Sequence, residues 1–215
     1  MTDIHTPGID VLNCRETLQP SVTLLFLTQH PNTFDEIATS LRAQGHSIEV
    51  IPFEHSGERA FGYLERVRFN GLDCVAKYIG PESCEMFEIR ARGVQQERDG
   101  LALTQGLSTP LVAEIRVDDQ VVGIFRQFAE GEPLRDAVAS DKVTASEARA
   151  QVQELVTKLT ASGLYLWDCN PSNIWRRPDG AVVLLEGQCV FPSDLAPTAL
   201  LMQNMEIVDV MFPVR

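Results

Sequence analysis

Residues 166–173 read LWDCNPSN, and this stretch carries the clearest chemical pattern in the chain. Asp168 and Asn173 stand five positions apart, in a loop that follows a predicted amphipathic helix. At that spacing a carboxylate can accept a proton from an attacking hydroxyl, while an amide oxygen can ligate Mg²⁺. The stretch therefore predicts a reaction site with a metal ion beside it.

A second carboxylate follows this stretch. Residues 184–187 read LLEG, so Glu186 places a hard-oxygen ligand just past a short apolar strand. The residues between the two segments predict two short strands joined by a turn at 178–180. This arrangement predicts that Asn173 and Glu186 hold one metal ion.

The upstream part of the chain reads as β-structure. Two alternating runs flank Asn70-Gly71, which is the strongest short signal for a β-hairpin. Lys77 lies in the second run between apolar neighbours, and a buried lysine needs a carboxylate partner. Glu97 can supply that partner from a predicted helix over 84–105, for which we expect a break near Gly93.

A glycine-bearing turn precedes the lysine. Residues 56–64 read SGERAFGYL, with Gly57 and Gly62 at its two ends. Such a turn lets backbone amides approach phosphate oxygens, and Lys77 can reach the same phosphates as a point charge.

The order and spacing of these four segments resemble the protein-kinase superfamily over residues 55–190. SGERAFGYL resembles the Gly-rich loop, with Arg59 in place of the middle glycine, and VAK at 75–77 resembles the strand-lysine motif. LWDCNPSN resembles the catalytic loop, LLEG stands where the metal-binding DFG motif belongs, and EGEPL at 130–134 resembles the hinge.

The resemblance implies an α+β, bilobal protein-kinase-like fold with ATP in the cleft. A β-rich N-lobe is expected at 54–128 and a truncated helical C-lobe at 129–215, after a polar arm at 1–20. Residues 21–53 are expected to form a β-α-β extension packed on the N-lobe, and they contain no phosphate-binding glycine turn. The implied catalytic residues are Asp168 and Lys77, the nucleotide-binding residues are Gly57, Arg59, Phe61, Gly62, Lys77 and Glu97, and the ligands for Mg²⁺ or Mn²⁺ are Asn173 and Glu186.

The chain also departs from the kinase pattern. Leu166-Trp167 replace the usual His-Arg, Glu186 replaces an aspartate, and no APE motif follows. The leading prediction is an atypical minimal kinase that transfers the ATP γ-phosphate to a hydroxyl, with protein Ser/Thr as the first choice of acceptor and a small alcohol as another. The alternatives are a pseudokinase that binds nucleotide or protein, a kinase-fold enzyme that transfers another group such as AMP, and an interaction module formed by residues 22–53.

The composition limits the classes of binding partner and the cellular compartment that we expect for this protein. Among 215 residues, 18 Lys+Arg oppose 30 Asp+Glu, and a net charge of −12 disfavours a nucleic-acid partner. The start of the chain lacks a secretory signal, and no apolar run is long enough to span a membrane, so a cytoplasmic location is expected. Delivery into a host cell is the alternative, because the truncation resembles minimal kinases among bacterial effectors. Five scattered cysteines without a CxxC pair predict reduced thiols.

Overall fold

The computed structural model describes residues 22–167 and 171–212. The predicted catalytic residue Asp168 and the predicted arm at 1–20 lie outside the described residues. The described part combines helices and strands, as expected for a mixed fold.

A β-hairpin lies within the main sheet. Strands β4 and β5 pair in antiparallel register, and the Asn70-Gly71 turn joins them. Both turn residues have positive φ, 48° for Asn70 and 86° for Gly71, which explains why the chain turns at this dipeptide. The predicted hairpin is confirmed.

Seven strands build the main sheet around this hairpin, in the order β1-β6-β7-β5-β4-β2 with β3 paired to β4. The strands are β1 (Thr23–Leu27), β2 (Ile48–Ile51), β3 (Gly57–Arg59), β4 (Gly62–Phe69), β5 (Leu72–Tyr78), β6 (Leu111–Val117) and β7 (Gln120–Gln127). Strand β1 runs parallel to β6, and β2 runs antiparallel to β4. Residues 23–51 therefore supply strands at both ends of the sheet path, with helix α1 (Phe34–Ala43) between them.

Helix α2 (Phe87–Leu103) packs against this sheet and carries Glu97. The expected break near Gly93 is wrong, because the helix runs through that residue without interruption. A Cβ atom at Gly93 would lie 2.8 Å from the Cβ of Phe61, so this glycine allows a close approach of the β3–β4 turn rather than a bend.

The rest of the described chain is mainly helical. It contains β8 (Glu132–Pro133), α3 (Leu134–Ala139), α4 (Ala145–Ala161), β9 (Leu164–Leu166), a 3₁₀ turn (Pro171–Asn173), β10 (Ile174–Arg176), β11 (Val182–Leu184), β12 (Val190–Pro192) and α5 (Pro197–Met211). Helix α4 begins at the capping box formed by Thr144 and Glu147, each of which bonds to the backbone of the other. The sequence analysis did not predict the short strands β8, β9 and β12, which have two or three residues each.

Buried side chains form two apolar clusters. One lies between the main sheet and helices α1 and α2, with Phe34 and Phe125 among its largest members. The other gathers α3, α4, β9 and α5. In this second cluster the buried Asn204 accepts a hydrogen bond from the Leu166 amide (2.9 Å) and donates to Leu164 O (3.1 Å). Helix α5 thereby holds the strand that leads into the LWDCNPSN loop.

In residues 22–167 and 171–212, no helix is both long enough and apolar enough to cross a membrane. Cys74 and Cys84 are free thiols, while Cys14 and Cys169 fall outside the described residues.

Candidate active site

Lys77 lies on an inner strand of the sheet and points toward helix α2. Its Nζ donates to Glu97 Oε2, and the two side chains are only 4% and 0% exposed. The partner suggested by the sequence is therefore the residue that the structure places against the lysine. A buried ion pair of this kind restricts the position of the Lys77 ammonium group.

A third charge joins this pair. Arg126, on β7, places Nε 3.2 Å from Glu97 Oε1, and its side chain is 5% exposed. The sequence analysis did not assign a role to Arg126. It stands at the end of the apolar run VVGIF at 121–125, and a charged residue next to such a run could have indicated a buried ion pair. Glu97 is thus shared by two buried cations.

The two predicted metal ligands lie side by side. Asn173, at the end of the 3₁₀ turn, donates through Nδ2 to Glu186 Oε2 at 3.1 Å. Gln188 donates to the same carboxylate oxygen at 2.8 Å and accepts from Lys77 Nζ at 3.4 Å. Gln188 therefore links the lysine to the carboxylate, a role that the sequence analysis did not assign.

The glycine-bearing turn covers the same region. Gly62 has φ 132°, and a Cβ there would lie 2.8 Å from Tyr78 O and 3.4 Å from Lys77 Cγ, so only glycine fits beside the lysine strand. Arg59 folds back and donates to the carbonyls of Glu58 (2.8 Å) and His55 (2.7 Å).

The turn is also tied to helix α2. Glu58 pairs with the buried guanidinium of Arg90, and Phe61 packs over Gly93. Arg90 also lies 4.8 Å from the centre of the Tyr63 ring, within cation–π range. Helix α2, which carries Glu97, therefore holds the β3–β4 turn in place.

These elements border an open cavity of about 610 Å³. It is lined by Arg59, Phe61, Lys77, Asn173, Glu186, Gln188 and neighbouring residues. Three of the predicted nucleotide-binding residues do not line it, namely Gly57, Gly62 and Glu97. Gly57 and Gly62 begin strands β3 and β4, and Glu97 contacts the Nζ of Lys77. The structure thus brings most of the predicted nucleotide and metal residues around one space.

The segment after Glu186 approaches helix α2 through backbone alone. A Cβ at Gly100 would lie 1.8 Å from Gly187 O, and a Cβ at Gly187 would lie 2.4 Å from Leu101 N. Gly187 stands where the resemblance places a phenylalanine, and no side chain fits between these two backbones. This departure from the motif therefore has a steric reason.

The donor chemistry at Asn173 and Glu186 suits a hard divalent cation, because both side chains carry oxygen ligands. Among the described residues, no group of three or more His, Cys, Asp and Glu side chains is arranged to hold a metal.

The fold is protein-kinase-like. The structure is similar to that of a twitchin kinase fragment from C. elegans, described as an autoregulated protein kinase with immunoglobulin domains, at a TM-score of 0.51 and 18% sequence identity. The match covers 78% of this chain and 36% of that chain, so this chain spans about a third of the twitchin fragment. No protein-family model matches the sequence, and no curated protein matches it significantly.

Proposed function

We propose that this protein is a minimal kinase-like phosphotransferase that moves the γ-phosphate of ATP to a hydroxyl group. The observation that carries the proposal is the cavity in which Lys77, held by Glu97, faces Asn173 and Glu186. Phosphoryl transfer depends mainly on positioning and on neutralising charge, and these residues provide a cation and hard-oxygen ligands in one place.

Each residue has a role in this proposal. Lys77 binds the phosphate chain, and the backbone of the β3–β4 turn covers it. Asn173 and Glu186 hold Mg²⁺ or Mn²⁺, which neutralises phosphate charge when bound. Asp168 accepts the proton of the acceptor hydroxyl as its oxygen bonds to phosphorus and the bond to the leaving ADP breaks. A protein serine or threonine is the first acceptor to test.

The two apolar clusters correspond in this proposal to the two lobes of a kinase, at 54–128 and 129–215, with the cavity between them. Strands β1 and β2 then extend the sheet of the first lobe.

Transfer of label from [γ-³²P]ATP to the protein itself, to lysate proteins and to small alcohols tests the proposal. Label should appear in the wild type and in the exposed control Asp194→Ala, and should be lost in Asp168→Ala. Absence of label from every acceptor refutes kinase activity. A parallel reaction with [α-³²P]ATP separates phosphate transfer from AMP transfer, because only the latter leaves the α-phosphate on the acceptor.

A pseudokinase is the second candidate. The observation that favours it is that Glu186 Oε2 already accepts two amide N–H groups, from Asn173 and Gln188. In this case Mg-ATP raises the melting temperature of the wild type but not of Lys77→Met, while no acceptor becomes labelled.

A further inference from the structure

Two clusters in this protein consist of one buried glutamate between two cations, and they differ in how far the cations reach water. In the first, Glu97 lies between Lys77 and Arg126, whose side chains are 4% and 5% exposed. In the second, Glu114 lies between Arg98 and Arg116, whose side chains are 30% and 23% exposed.

The two clusters also differ in charge balance. The Glu97 cluster has one carboxylate for two cations, whereas Arg98 of the Glu114 cluster also pairs with Asp99 at 2.8 Å, which gives that cluster a second carboxylate. The guanidinium groups beside Glu114 also reach solvent, where water screens their charge. At Glu97 both cations are removed from water, so the excess charge keeps an unfavourable desolvation energy unless another anion approaches.

Arg126 also has donor atoms without a hydrogen-bond partner among the described residues. Its Nε lies within ion-pair distance of Glu97 Oε1, yet Arg126 Nε, Arg126 Nη1 and Glu97 Oε1 make no hydrogen bond to any part of the chain that the structure describes. Buried donors of this kind are normally satisfied.

Lys77 is the member of the cluster that opens to the cavity. It also contacts Gln188, whose amide separates it from Glu186. Glu186 is itself assigned to the metal ion, so its charge does not compensate the Lys77 cluster once that ion is bound.

We propose that Arg126 is a positioning residue for anion binding: by sharing Glu97 with Lys77, it leaves the lysine incompletely neutralised, and a phosphate chain in the cavity supplies the missing negative charge. The inference rests on the nucleotide-binding part of the proposed function. It assigns Arg126 a role without direct contact with phosphate, because Arg126 does not line the cavity.

The test is the affinity for inorganic tripolyphosphate, measured as the ligand-dependent rise in melting temperature at fixed Mg²⁺ and ionic strength. Arg126→Met should weaken binding by about tenfold or more, because Glu97 then neutralises Lys77 alone. Arg126→Lys restores the charge and should stay within about threefold of wild type. The matched control Arg116→Met removes the same charge beside Glu114 and should also leave the affinity within about threefold.

Three results would overturn the inference: no binding of tripolyphosphate to the wild type, unchanged affinity in Arg126→Met, or an equal loss in Arg116→Met. A purely structural role of Arg126 would lower the melting temperature without ligand and leave the affinity unchanged. If Arg126→Met does not fold, Arg126→Gln decides the question, since it removes the charge and keeps a polar side chain beside Glu97. Its affinity should fall by about tenfold or more, and an affinity equal to that of the wild type contradicts the inference.

Failure of this inference is distinct from failure of the proposed function. Arg126-dependent tripolyphosphate binding without transfer of the γ-phosphate keeps the inference and refutes the kinase. Transfer of the γ-phosphate with an unchanged affinity in Arg126→Met keeps the kinase and refutes the inference.

Discussion

The contact between Gly100 and Gly187 gives the sharpest prediction about how the surroundings of the cavity are built. In Gly100→Ala the new Cβ would lie 1.8 Å from Gly187 O, 2.4 Å from Gly187 C and 2.8 Å from Gly187 Cα. All three are backbone atoms, so no side-chain rotation relieves the overlap. Ordinary contact begins near 3.4 Å, and the two backbones must therefore separate by about 1.6 Å.

The expected change in the free energy of unfolding follows from two opposing contributions. Overpacking against a fixed backbone costs up to about 3 kcal/mol. Replacing glycine by alanine inside a helix returns about 1 kcal/mol. We therefore expect Gly100→Ala to lower the free energy of unfolding by about 2 kcal/mol, measured by urea denaturation.

The same substitution should also disturb the cavity. Glu97 lies one turn before Gly100 on α2, so a helix displaced from the Gly187 segment pulls the carboxylate away from Lys77. We expect Gly100→Ala to lose most of the rise in melting temperature caused by Mg-ATP.

Gly93→Ala is the matched control on the same helix. Its new Cβ meets atoms of the Phe61 side chain, which lies on a turn between two strands. The closest contact, 2.8 Å to the Phe61 Cβ, is a smaller overlap than the 1.8 Å at Gly100, and the gain in helix propensity offsets part of its cost. Gly93→Ala should therefore lower the free energy of unfolding by less than Gly100→Ala does. The reasoning is refuted if Gly100→Ala is as stable as wild type and responds normally to Mg-ATP.

Three further predictions concern stability and thiol reactivity. Asn204→Ala removes three buried hydrogen bonds, with Thr160, Leu164 and Leu166, and should lower the free energy of unfolding by about 3 kcal/mol in urea denaturation. The control Gln203→Ala, at an exposed position of the same helix, should leave it almost unchanged. Equal effects of the two substitutions would refute the argument. The Thr144 hydroxyl and backbone lower the pKa of Glu147, so this carboxylate stabilises the folded state above its ordinary pKa and loses that effect as the pH falls through the lowered value. Thr144→Ala should therefore lower the melting temperature more at pH 7 than at pH 3, and a pH-independent difference would count against the capping box. Burial raises the pKa of the Cys74 thiol to about 12, so iodoacetamide at pH 8 should modify Cys74 only after unfolding, as mass spectrometry of the labelled peptides can show.

The sequence predicted those elements whose signals are local. The Asn70-Gly71 turn requires only two adjacent residues that tolerate positive φ, and the capping box at Thr144 requires only a hydroxyl and a carboxylate three residues apart. The pairing of Lys77 with Glu97 was also suggested in advance, because a buried strand lysine needs a carboxylate and the motif order pointed to this helix. Asp168 remains a prediction, since it lies outside the described residues.

Contacts between residues that are far apart in the sequence could be identified only from the structure. No local signal shows that β1 pairs with β6, because the partner strand begins more than eighty residues later in the chain. The expected break at Gly93 was wrong for a related reason: a glycine in a helix can permit close packing instead of a bend, and only the neighbouring Phe61 decides between them.

By itself, the sequence determined where the chain turns, where helix α4 begins and which residue types are available for phosphate and metal chemistry, because these properties depend on neighbours within a few positions. Only the tertiary structure decided that Arg126 shares Glu97 with Lys77, that Gln188 links Lys77 to Glu186, and that Gly187 packs on helix α2. The physical reason is that burial and charge compensation depend on distances across the fold, which spacing along the chain does not specify.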